Sequence, residues 1–259
     1  MSTDGCNFIE RMIWSEVARR IDEGAAAILP IGAAAKQHGL HLPLNTDCIQ
    51  AECLAARLSD FIDALIWPTL TYGHYPAFTE YAGSINLSAP LFEEVVQQIA
   101  SGILGHGCRA LFVLDTGIST LAPVERALAR LGPANALHLR IHDGPNYRRA
   151  AAEITAQRHG SHADELETSL MLALAPHLVD MSRAEASPTL KQEVPGRLTP
   201  TDTSSPNYSR SGSFGDPTLA TAAKGEILLK AMLDDLNEQV SAFLAALTAA
   251  PNPIRSVSR

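Results

Sequence analysis

The sequence is poor in the features that mark several large functional classes. It contains no run of five or more Lys or Arg, and its formal net charge is −8. An acidic chain without a basic block is not built around a nucleic-acid backbone or an anionic membrane surface. No apolar run reaches the ~18 residues of a membrane-spanning helix, and the N-terminus lacks a basic-then-apolar signal pattern. The four cysteines (Cys6, Cys48, Cys53 and Cys108) form no CxxC pair, so reduced thiols in a cytoplasmic protein are expected. No GxGxxG, P-loop or GxSxG occurs, which leaves nucleotide-binding and serine-hydrolase readings without support. What is present suits a sizeable core: 46% hydrophobic and 19% charged residues in a chain of 259.

Short apolar runs at 25–31, 64–70, 110–114 and 137–141 read as strands. Helical patterns fall at 11–22, 46–61, 89–105, 122–131, 147–157, 164–174 and 224–249. Strands alternating with helices predict an α/β fold, a three-layer α/β/α sandwich around a mostly parallel sheet. Residues 183–222, rich in Pro, Ser and Thr, predict a long loop or arm within a single domain covering 1–259.

Four motifs carry chemistry. The first strand ends in Gly32 and is followed by Lys36, Gln37, His38, His41 and Asp47. Imidazole and carboxylate are ordinary ligands of zinc and other first-row divalent ions, and a loop after a strand could bring them to one ion. Equally, Asp47 can cap the next helix. His162 and Glu165, three apart, share a face if the helix has begun there; a helix start capped by Ser161, with Asp164 in its first turn, is the plainer reading. Asp115 and Ser119 follow the third strand. His74 and Tyr75 lie in an aromatic loop after the second strand, suited to a substrate wall or to packing.

Together these motifs resemble the creatininase (creatinine amidohydrolase) family over most of the chain. Gln37-His38-Gly39-Leu40-His41-Leu42-Pro43-Leu44 with Asp47 matches the family's opening signature. His162-Ala163-Asp164-Glu165-Leu166-Glu167-Thr168-Ser169 matches a later one, and Gly83-Ser84-Ile85-Asn86-Leu87 resembles a third. The resemblance implies a divalent metal (Zn, Mn or Fe), hydrolysis of C–N bonds in cyclic or linear amides, and a homo-oligomer, frequently a hexamer. It makes His38, Asp47 and Glu165 metal ligands and His162 a proton shuttle. From their place in the loops at the same end of the sheet, Gln37 and His41 are expected to support those ligands and His74, Tyr75, Asp115 and Ser119 to contact substrate, with capping the other role open to Asp115.

Two departures set this chain apart. Lys36 stands where the family carries a metal-binding Glu, and Asp115-Thr116-Gly117 replaces the family's Asn-Gly-His. An ammonium beside a dication is repulsive, so one ion per subunit is expected, with Lys36 stabilising an oxyanion or binding a substrate carboxylate. The expected activity is metal-dependent hydrolysis of a small-molecule C–N bond other than an ordinary peptide bond. A lyase or cyclase reaction, and a non-catalytic scaffold that has lost the metal, stay open as alternatives.

Overall fold

A computed structural model describes residues 7–132, 135–187 and 196–249. Cys6 and residues 188–195 of the expected arm lie outside the described residues. Four strands form one sheet: β1 (Ala26–Ile31), β2 (Ala64–Ile66), β3 (Leu111–Asp115) and β4 (Ala136–Arg140). Their order is β2-β1-β3-β4, and every pairing is parallel. The helices are α1 (Trp14–Asp22), α2 (Thr46–Phe61), α3 (Ala89–Gly105), α4 (Leu121–Ala129), α5 (Pro145–Ile154), α6 (Glu165–Leu174) and α7 (Ala222–Ala249).

Alternation along β1 and β3 explains the layers. Ala26 and Ile28 of β1 and Phe112 and Leu114 of β3 pack with α2, α6 and α7. Ala27, Leu29 and Ile31, with Leu111 and Val113, face α1, α3 and α4 on the other side. Both central strands are therefore buried on both faces, which is why they read as continuous apolar runs.

β2 is shorter than its apolar run. Pro30 and Pro68 lack the N–H a ladder needs. Leu70 N–H still reaches the Pro30 carbonyl at 2.9 Å, so the missing Pro30 donor falls on the edge where β2 has already lapsed. Gly225 lets α7 cross α6 closely, since a Cβ there would collide with the Ser169 carbonyl.

The sheet order places the functional residues. From β1 the chain turns to β2 on one side, while β3 lies on the other. The loops leaving β1 and β3 part at their carboxyl ends and open a crevice, where open α/β sheets bind ligands. Among the described residues no helix is long and apolar enough to cross a membrane.

Candidate metal and active site

The loop after β1 builds one half of the site. Gly32 is required because the chain returns against it: a Cβ there would strike the Asp47 carbonyl. Lys36 N–H donates to the Leu44 carbonyl (3.2 Å) and Cys48 N–H to that of Ala33 (3.2 Å), closing the loop. Lys36 is only 6% exposed. Its Nζ lies 2.6 Å from Asp47 Oδ2 and 5.5 and 5.1 Å from the ring centroids of Tyr75 and Phe78. His38 is fully buried. Its Nδ1 is 2.8 Å from the Lys36 carbonyl and its Nε2 2.9 Å from Asp47 Oδ1, so both nitrogens face acceptors. Burial alone would raise the Asp47 carboxyl; Lys36 and His38 outweigh it and hold that carboxyl well below the usual range.

The start of α6 builds the other half. Asp164 is the N-cap and accepts from Leu166 and Glu167 N–H, each at 3.0 Å. Ala163 takes a left-handed φ of 45°, which breaks the helical phase between His162 and α6. His162 Nε2–H donates to the Gln37 carbonyl (2.8 Å), leaving its lone pair on Nδ1, 3.7 Å from Glu167 Oε2. A carbonyl behind one nitrogen and a carboxylate before the other is the usual setting of a metal-binding histidine. Burial, then the charges of Lys36 and His38, keep this imidazole neutral. Glu167 Oε2 accepts from Ala163 N–H at 2.6 Å, and Oε1 lies 3.6 Å from His38 Nε2. Burial pushes this carboxyl upward, against the pull of His38.

The donors of His38, His162 and Glu167 all lie within 4.8 Å of one another. His162 and Glu167 line a cavity of about 400 Å³ walled by Phe78, Ile118, Ser119, His142, Tyr147 and Leu166, with His38 buried behind them. Phe78 packs against His162 with centroids 4.2 Å apart and the rings tilted by 40°.

The remaining expected residues distribute as follows. Glu165 does not face His38: it is buried, accepts from Ala156 and Gln157 N–H (2.9 and 2.7 Å) and pairs with Lys224. The carboxylate that meets the histidines is Glu167, and the Ala163 bend is the reason. Asp47 is close to His38 yet committed to Lys36. Gln37 fastens the loop, its Nε2 donating to the Gly212 carbonyl (2.9 Å) and its Oε1 accepting from Gly39 N–H (2.8 Å). His41 Nε2 meets Thr168 Oγ1 at 2.7 Å on α6.

Of the four expected substrate contacts, Ser119 lines the cavity, with its Oγ donating to the His74 carbonyl at 2.6 Å. His74 itself is tied to the Leu87 carbonyl (2.9 Å). Tyr75 is buried beneath Lys36. Asp115 accepts from Gly117 N–H, Thr120 Oγ1 and His138 Nε2 (2.9, 2.7 and 3.2 Å) and shapes its own loop. His142 and Tyr147, which carry no motif in the sequence, stand in the wall, delivered by the end of β4 and by α5. The one sequence hint was His142-Asp143-Gly144 stopping an apolar run, as Asp115-Thr116-Gly117 stops β3.

A histidine–carboxylate donor set at the carboxyl edge of a parallel α/β sheet defines the class as an α/β protein with a metal-type site. The creatininase family profile, described as creatinine amidohydrolase, matches residues 10–240, and the chain belongs to the creatininase family. It is 25% identical to the creatinine amidohydrolase of Pseudomonas putida over 255 residues, covering 90% of this chain and 95% of that one. It is 26% identical to a mycofactocin precursor peptide peptidase of Mycobacterium tuberculosis over 236 residues, covering 84% and 85%. A creatininase variant structure described as a zinc–zinc type shares the fold, with a TM-score of 0.73, 24% identity and coverage of 91% and 97%.

Proposed function

We propose that this protein is a metal-assisted hydrolase of an amide-type C–N bond in a small molecule. The observation that carries the reading is the convergence of His38 Nε2, His162 Nδ1 and Glu167 on one point at the cavity rim. These three residues would hold a divalent ion: the neutral His162 lone pair and the uncommitted Glu167 Oε1 fit such a group as they stand, and His38 Nε2 would exchange its bond with Asp47 Oδ1 for the ion. When bound, the ion supplies Lewis-acid polarisation of an amide carbonyl and lowers the pKa of a water.

The chain's own groups do the rest. The Gln37 carbonyl fixes the His162 tautomer, and Phe78 holds its ring. Ile118 and Leu166 give the cavity an apolar wall that limits water. With His162 committed to the donor set, His142 is the imidazole left to pass a proton to the leaving nitrogen. Burial lowers its pKa, so it stands neutral, able to accept that proton first. A cavity near 400 Å³ takes a small ligand whole. Self-association belongs to the same reading, supported by the exposed Ile13 and Trp14 at the start of α1 (69% and 83% exposed).

The test is elemental analysis of protein purified without a metal-chelating tag, followed by an assay of cyclic amides, formamides and short peptides. The expected result is a bound divalent ion and ion-dependent release of amine. Protein that binds neither Zn²⁺ nor Mn²⁺ on titration and hydrolyses nothing would sink the reading and favour a non-catalytic scaffold.

A further inference from the structure

The Lys36–Asp47 pair is not absorbed by that function. A lysine is rarely this buried unless paired, and this one lies in the wall of the cavity, against two aromatic rings and one carboxylate oxygen. The other Asp47 oxygen meets His38. Both oxygens of a carboxylate 2% exposed are thus engaged by cationic or donor groups of the chain itself. A divalent ion cannot share Oδ2 with an ammonium 2.6 Å away without strong repulsion.

We infer that Lys36 is a built-in cation that occupies the Asp47 end of the site, so that Asp47 is not a metal ligand and the site is folded before any ion arrives. The inference rests on the metal reading above for its stoichiometry and stands apart from it for the metal-free protein. Lys36 acts through Asp47 and the loop, so it is a positioning residue. The aromatic clamp is part of the device. Tyr75 and Phe78 favour a cation over their faces and shield it from water, where a bare carboxylate pair would demand a metal.

The experiment compares wild type, Lys36→Met and the double variant Lys36→Met/Asp47→Asn, each stripped with chelator and then titrated with Zn²⁺ or Mn²⁺. Methionine keeps the apolar stem for the aromatic rings and removes the charge. Stripped wild type is expected to unfold cooperatively and to take up a single ion per chain. Stripped Lys36→Met should melt about 10 °C lower, because one partner of a buried pair is gone, and metal should restore most of that loss while raising uptake above the wild-type ratio. The double variant, with no charge left to balance, should melt close to wild type and gain nothing extra from metal; it keeps the test alive if the single variant fails to fold. Wild type that takes up two ions, or Lys36→Met with unchanged metal-free melting and uptake, would overturn the inference. Wild type that takes up none defeats the metal reading instead, while the melting comparison still decides the role of Lys36.

Discussion

Glu165 and Glu167 sit two positions apart at the start of α6 and serve different parts of the molecule. Glu165 pairs with Lys224 and the amides of Ala156 and Gln157, tying α7 and the segment after α5 to α6. Glu167 turns to His38 and His162. Their substitutions should therefore separate. Glu167→Gln is expected to weaken metal binding at least ~10-fold with little change in melting. Glu165→Gln should leave metal uptake intact and destabilise by about 3 kcal/mol, since a buried partner loses its charge. Isothermal titration and denaturant melts on both proteins check this; equal metal loss in the two would contradict the assignment.

His142 and His162 make a second contrast. His142→Asn should lower kcat by about 10²-fold or more while metal content stays at the wild-type ratio. His162→Asn should lower metal content itself. Single-turnover rates beside elemental analysis distinguish them, and an active His142→Asn protein would remove that residue from the mechanism.

Ala163 holds a left-handed backbone without being glycine. Such a conformation costs an L-residue roughly 1 kcal/mol. Ala163→Gly should be neutral to stabilising by up to about 1 kcal/mol, although glycine ordinarily destabilises by increasing the freedom of the unfolded chain. Ala163→Val should be strongly destabilising and should disturb Glu167, whose Oε2 accepts the Ala163 N–H. Chemical melts read both.

Acid should unfold the protein early. Burial lowers His41 to about 4, and lowers His142 and, with Lys36 and His38 adding to it, His162. Each folded value is below the unfolded value of about 6.5, so the unfolded chain binds more protons in between. Stability is then complete above that range and falls as pH drops through it, continuing downward towards the folded values. Asp47, held low by Lys36 and His38 against its burial, adds a loss of the same sign at lower pH. Melting temperatures at about pH 8, 6.5 and 5 should fall in that order; a flat profile would show that these imidazoles are not buried neutral.

Most of the architecture was legible because β1 and β3 are apolar on both faces and end abruptly, at Gly32 and Asp115. Their carboxyl ends pointed to the crevice, and the loop after β1 sets His38 beside Asp47, although Asp47 turns its other oxygen to Lys36. The second half was harder to read. The spacing of His162 and Glu165 assumed a helix already under way, but the left-handed Ala163 resets the phase, and a backbone torsion of one alanine leaves no mark in composition. Asp115 can be read in sequence as a cap or as a substrate contact, and His74 as a substrate wall or as packing; local hydrogen bonds that depend on how their loops fold engage both side chains. His142 reaches the cavity only because β4 lies beside β3, a fact of sheet order.

Gln37 connects regions far apart along the chain. Its carbonyl receives His162, 125 positions later, and its side chain reaches Gly212, 175 positions later. Phe214 in turn pairs its backbone with His162. All four strands are complete by residue 140, but the site cannot close until the segment before α7 has docked. Contacts of such long range form late in folding. An ion is therefore a witness to finished folding in this protein rather than a nucleus for it, and its uptake during refolding should lag behind the appearance of helix and sheet.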